Sequence, residues 1–256
     1  MGAAADIRAR LGHGLALAIA LLFLVAPAHA TAAKKVRGID VSRFQGVISW
    51  DQVAMTDIGF AFVQASRGSG ADCVVVPERC GADEFYELNY RGARANRIRV
   101  GAYHRAFASG PGIDGAKADA RAEADLFISQ VGTLRPRDLL PALDVETPFV
   151  DLDDEELRIW VRAWLSRVER KLGRQAIIYT NSSSWLATGD TTEFALAGHS
   201  LWVANYGVSQ PSVPALNWGG LGWSIWQYTS SGRVRGIAGN VDKNRLSNGF
   251  RGLRVR

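Results

Sequence analysis

The chain has 256 residues, 47% of them hydrophobic, with 30 lysines and arginines against 25 aspartates and glutamates. That supplies a substantial core for one large domain or two small ones. Its basic residues are scattered rather than grouped with aromatics, which argues against a nucleic-acid partner, and the mild positive excess fits ordinary solubility or attraction to an anionic polymer.

Arg8 and Arg10 precede an apolar run from Leu15 to Ala26, and Ala28-His29-Ala30 follows as a small-x-small pattern. This reads as a secretory signal peptide over residues 1–30, too short to span a bilayer, with the mature chain expected from Thr31. Setting aside Asp6, Arg8 and Arg10 leaves 28 basic and 24 acidic side chains. A secreted or periplasmic location is expected, with no membrane contact after cleavage. Residues 31–256 are expected to form one domain. Cys73 and Cys80 are the only cysteines. Export makes a disulfide between them the natural reading, pinning a loop rather than holding the fold. No nearby histidine pair supports a metal site, and neither metal nor cofactor is expected.

Strand-like runs follow one another with room for a helix or loop between them. Val36 to Val41 comes first, then a short helix near Trp50-Asp51, then Phe60 to Ser66. Asp83 to Asn96 has helical character, with Phe85, Leu88 and Gly92 near one face. Val100 to His104 is the third strand. An alanine-rich helix follows, carrying Ala120, Ala124, Phe127, Ile128 and Val131 at helical spacing. Leu139 to Glu146 is the fourth strand, and it ends in two carboxylates. Leu157, Trp160, Val161, Trp164, Leu165, Val168 and Leu172 then form one apolar stripe, so Trp160 and Trp164 are core. Acids open that helix, Arg170 and Lys171 lie in its last turn, and Gly173 stops it. Ala176 to Thr180, Ser200 to Ala204, Trp223 to Tyr228 and a short run at Val241-Asp242 complete the series.

Strands alternating with helices predict parallel β/α units, and eight strands with eroded later helices predict an irregular (β/α) barrel. Such barrels place chemistry at the carboxyl ends of their strands. Asp40, Tyr103-His104, Asp144 with Glu146, Asn181, Gln227-Tyr228 and Asp242 all fall at those ends. Side chains alternate along a strand, so Asp144 and Glu146 point the same way. Crowding two acids beside an apolar wall favours one retained proton, the state that general acid catalysis needs. No Gly-x-Ser-x-Gly elbow supports a serine hydrolase. His104 is either a carboxylate or sugar partner, or a satisfied histidine at a strand end.

Gly38-Ile39-Asp40-Val41-Ser42, Gln45-Gly46 with Trp50, Gly101-Ala102-Tyr103-His104, Leu143-Asp144-Val145-Glu146, Ile178-Tyr179-Thr180, Leu201-Trp202, Ile225-Trp226-Gln227-Tyr228 and Val241-Asp242 occur in that order. Together they resemble the lysozymes of glycoside hydrolase family 25 over nearly the whole chain after Val36. The resemblance implies a barrel with incomplete helical coverage that cleaves the β-1,4 bond between N-acetylmuramic acid and N-acetylglucosamine in peptidoglycan glycan strands. It maps the family's acids onto Asp40, Asp144, Glu146 and Asp242, with Glu146 the acid/base and Asp144 the ionised partner that orients the substrate's acetamido group. A carboxylate nucleophile, Asp242 or Asp40, stays open beside that substrate-assisted, retaining route. Tyr103, Tyr179, Trp202, Trp226, Gln227 and Tyr228 are candidate sugar contacts, with core packing the competing reading for each aromatic. Two features depart from the pattern: Arg105 stands where an aromatic is expected, and the cysteine-bearing insertion after Gly68 is long. A monomer is expected. A silent glycan-binding barrel and a chitin-type endo-hydrolase are the alternatives.

Overall fold

The computed structural model describes residues 36–68 and 80–255. The expected signal peptide and Cys73 lie outside the described residues. Among those described, nine strands form one sheet: β1 (Arg37–Val41), β2 (Ile58–Arg67), β3 (Gly81–Ala82), β4 (Arg99–Arg105), β5 (Ala142–Asp144), β6 (Ile177–Thr180), β7 (Leu201–Ala204), β8 (Ile225–Gly232) and β9 (Val241–Leu246). β1 pairs with both β2 and β9, so eight strands close into a barrel, and β3 is appended to β2.

Successive barrel strands are parallel from β1 to β8, whereas β9 runs antiparallel to both β8 and β1. This corrects the expectation of parallel units throughout. Residues 233–240 are too few for the helical crossover that a parallel return requires, so the chain doubles back as a hairpin. Asp242 therefore starts its strand rather than ending it, and the reversed direction still brings it to the mouth. The fourth predicted strand also contracts to Ala142–Asp144, which leaves Glu146 just past its end.

Four helices cover the barrel: α1 (Trp50–Ala54), α2 (Tyr86–Ala95), α3 (Gly112–Val131) and α4 (Asp154–Leu172). The later crossovers keep short helices, α5 (Ser182–Trp185), α6 (Glu193–Leu196) and a segment over Pro214–Gly219 whose residues 215–218 are left-handed, as the glycine- and serine-rich sequence there predicts. α4 forms where its signals say. Asp153 and Glu156 make reciprocal capping hydrogen bonds at 2.8 and 3.0 Å, and Gly173 closes the helix in a left-handed conformation. α2 buries Tyr86, Asn89 and Ala93, while Leu88 is exposed, so its apolar face is not the one expected.

Strand alternation divides the core into two layers. Phe60, Phe62, Ala142, Ile177, Tyr179, Trp202, Ile225 and Leu246 fill the barrel interior. Ile39, Val63, Val100, Leu143, Ile178, Val203 and Trp226 face outward and pack with helix residues such as Trp160, Trp164 and Phe127. The interior is tight: a Cβ on Gly38 would lie 2.3 Å from the Phe60 ring, and one on Gly101 would lie 2.5 Å from Phe62. Above that floor the inward positions turn polar, and the chemistry begins there.

Candidate active site

A cleft of about 220 Å³ opens at the carboxyl ends of the parallel strands, and Asp40, Asp144, Glu146 and Asp242 all line it. Asp40 on β1 and Asp242 on β9 are direct cross-strand partners, so their side chains share one face at close range. Asp40 is buried and accepts hydrogen bonds from Gln227 Nε2 at 3.0 and 3.1 Å and from Asn244 Nδ2 at 2.6 Å. Burial, and then the Asp242 charge, raise the Asp40 carboxyl well above the ordinary aspartate range. Asp242 is also raised by burial, with its hydrogen bond to Asp40 acting the other way. Both shifts favour a retained proton in this pair, and the deeper burial of Asp40 makes its shift the larger one. Tyr179 Oη at 2.9 Å and the Tyr206 hydroxyl both donate to Gln227 Oε1, which fixes the amide that Asp40 needs.

Asp144 and Glu146 form a second pair across the cleft. Asp144 ends β5 and is buried, whereas the Glu146 side chain is 31% exposed. Between them lies Arg105, the residue that departs from the expected aromatic. Its Nε sits 3.3 Å from Glu146 Oε1 and 3.7 Å from Asp144 Oδ2. Its other nitrogens donate to the carbonyls of Ala106 and Glu146 at 2.8 Å and of Thr147 at 3.1 Å. One guanidinium thus ties the end of β4 to the segment that follows β5. Burial first, and the neighbouring Glu146 second, raise Asp144 well above the usual range, with Arg105 opposing. Burial therefore works against an ionised Asp144, and the Arg105 guanidinium works for it. Asp144 Oδ1 is buried without a hydrogen-bond partner among the described residues.

The aromatic candidates divide by strand parity. Tyr103, Tyr179, Trp202 and Gln227 line the cleft. Trp202 is its floor more than its wall: it is 2% exposed, lies 4.5 Å from Phe62 and donates to Asn244 Oδ1 at 2.8 Å. Trp226 and Tyr228 do not join it. They flank Gln227 on β8 and so project to the opposite face, where the Arg245 guanidinium lies over both rings at 4.8 and 4.3 Å.

His104 also faces away. It is fully buried behind the barrel wall, bonded to Ser66 Oγ at 2.8 Å and Glu123 Oε2 at 2.6 Å, and stacked on Trp164 at 5.6 Å. Burial lowers its pKa to about 3, so it is a neutral ring making hydrogen bonds rather than an ion pair. Sequence reasoning missed Gln64, Arg67, Phe107 and Asn244. Gln64 was readable as a lone amide inside the apolar run of β2, and Asn244 as the next same-face position after Asp242. Arg67 was not, because a bulge between Gln64 and Ser66 shifts the register and turns Arg67 inward beside Arg105.

Known proteins resemble this chain in sequence and fold. Residues 39–237 match the profile described as glycosyl hydrolases family 25, well over half of the chain. The chain belongs to glycosyl hydrolase family 25. Lysozyme M1 of Streptomyces globisporus is 32% identical over 219 residues, covering 83% of this chain and 68% of that protein. The autolytic lysozyme of Clostridium acetobutylicum is 26% identical, covering 84% of this chain and 56% of its own length. Among solved structures, the bacterial lysozyme of Streptomyces coelicolor superposes with a TM-score of 0.71 at 33% identity, covering 84% of this chain and 94% of its own. As a family 25 member the chain is a glycoside hydrolase of lysozyme type, whose family substrate is peptidoglycan.

Proposed function

We propose that this chain is a secreted or periplasmic monomeric muramidase, cleaving the β-1,4 bond between N-acetylmuramic acid and N-acetylglucosamine with retention of configuration. The convergence of four acids from β1, β5, the β5 exit and β9 on one cleft carries this reading. Relatives named as lysozymes support it.

Glu146, the outer and more accessible acid, delivers the proton to the leaving oxygen. In the resting pair burial draws that proton toward Asp144. The small edge that Asp144 keeps on the cleft supplies the switch. A substrate acetamido N–H donating to the Asp144 carboxylate favours its ionised form, and the shared proton passes to Glu146. The acetamido oxygen then attacks the anomeric carbon as the glycosidic bond breaks and the leaving oxygen takes the proton. Water, losing its proton to Glu146, opens the cyclic intermediate. The singly charged Asp40–Asp242 pair offers negative charge to the cation-like sugar. Asp40 is already committed to three side-chain hydrogen bonds, which makes it a poor nucleophile and favours the acetamido route.

Glu146→Gln is expected to lower reducing-end release from purified peptidoglycan by at least about a hundredfold, the usual scale for a general acid, with the thermal midpoint unchanged. Near wild-type activity in that variant removes Glu146 from the role. Borohydride reduction of the wild-type fragments should yield muramitol. Glucosaminitol alone would indicate chitin-type specificity, and wall binding without new reducing ends would indicate a silent barrel.

A further inference from the structure

The opposite end of the barrel gathers charge of the other sign. β4 begins at Arg99 and reaches the mouth at Arg105, so its start lies roughly 20 Å from the carboxylates at about 3.3 Å per residue. A small cleft of about 90 Å³ there is lined by Arg94, Arg97, Ile98, Arg99, Val100 and Arg137. The neighbouring carboxylate, Asp138, is buried and already engaged by the Arg94 guanidinium, by the Tyr90 hydroxyl at 2.8 Å and by the Arg135 N–H at 2.8 Å. No ion pair reaches Arg97, Arg99, Arg137 or Arg254 among the described residues.

These guanidiniums crowd one another. Burial, then Arg137 and Arg254, lower the Arg99 pKa from its ordinary value. Arg99 is held over the Phe250 ring at 4.2 Å. The C-terminal strip fixes the rest, with Arg137 N–H donating to the Val255 carbonyl at 3.2 Å and Val255 N–H to Asp138 at 2.8 Å. Arg97 and Arg137 also adopt left-handed backbone, φ 62° and 75°, where glycine or asparagine is more at ease than arginine. Two strained backbones therefore present like charges to one cleft, an arrangement that costs stability until an anion neutralises it.

We propose that this cleft binds a phosphate oxyanion, the repeating group of a phosphodiester polymer. Planar guanidinium forks match phosphate oxygens in pairs, and several converging arginines suit a tetrahedral group whose two non-bridging oxygens share the negative charge. The cleft is too small for a sugar ring, and its distance from the mouth lets a polymer be held while the glycan is cut.

The test is calorimetric titration of the full chain at low ionic strength with inorganic phosphate and with poly(glycerol phosphate), using acetate and poly(glutamate) as carboxylate controls. Binding is read without catalysis, so the result stands whatever the mouth cleaves. The double variant Arg97→Asn/Arg137→Asn removes two charges and keeps a residue that tolerates left-handed backbone. It should fold with a thermal midpoint no lower than wild type and bind both phosphate probes at least tenfold more weakly. Arg254→Gln, an exposed position, should weaken binding about threefold and serves if the double variant does not fold. Phosphate binding that gains nothing from the polymer still supports the oxyanion site and assigns it to a free phosphate. Equal binding of the carboxylate controls, or wild-type affinity in the variants, overturns the proposal.

Discussion

The Arg105 guanidinium lies 3.3 Å from Glu146 and 3.7 Å from Asp144, and its charge opposes the burial that pushes Asp144 toward protonation. Removing it leaves that burial unopposed, so Asp144 holds its proton to a higher pH. The expected outcome for Arg105→Gln is an alkaline limb of the activity profile displaced upward, measured as reducing-end release from pH 4 to 9 at about constant ionic strength. Arg105→Lys keeps a point charge but cannot reproduce the hydrogen bonds to the carbonyls of Ala106, Glu146 and Thr147. It should restore the limb while unfolding at a lower temperature than wild type. A profile that stays in place in both variants would reduce Arg105 to a loop fastener. At this scale Arg105 shows what a sequence motif omits: it registers as a departure from pattern, while its reach to both acids depends on strands distant in the chain.

Between elements, the buried polar layer behind β4 joins Ser66, His104 and Glu123 to Asp119, which accepts from Trp160 Nε1 at 2.7 Å and from the Ser109 N–H at 3.0 Å. Burial, and then Glu123, raise Asp119 to about 7 from 3.8. A carboxyl raised in the fold contributes fully below its unfolded pKa, and that contribution is lost as pH rises through the folded value. Stability from this group therefore falls between pH 3.8 and about 7. Asp119→Asn keeps an acceptor for Trp160 and has no charge to bury. Its thermal midpoint relative to wild type should be near zero at pH 4 and increasingly positive toward pH 8, read by circular dichroism. His104, lowered to about 3, has the opposite sign and costs stability as pH falls from 6.5. The signal for this layer was present in the sequence as a glutamate within the alanine stripe of α3, where Ala116, Ala120, Ala124 and Phe127 are buried around Glu123. Capping is the other local determinant. Asp153→Ala removes one half of the α4 box and should cost about 1 kcal/mol in urea unfolding.

For the whole molecule, closure of the barrel depends on large and small residues meeting across its interior. Gly38→Ala and Gly101→Ala drive a methyl into the rings of Phe60 and Phe62. Each should destabilise by about 1–3 kcal/mol, the usual range for overpacking, and the denaturant midpoint measures it. A neutral outcome would mean that the ring stack yields more easily than its contacts indicate. The sequence by itself determined the local elements. The α4 stripe and its caps, the alanine helix, the strand runs and Asp144 at the end of β5 follow from periodicity and local hydrogen bonding, which act over a few residues. Strand parity was equally legible but not applied to β8: the sugar-contact candidates group Trp226 and Tyr228 with Gln227, and the strand places them on opposite faces. Tertiary structure decided the direction of β9, the bulge that turns Arg67 inward, the pairing of Asp40 with Asp242, and the depth of burial that raises Asp144. Those depend on which residues distant in the chain become neighbours and how much water they exclude, and neither quantity is encoded in any single stretch of sequence.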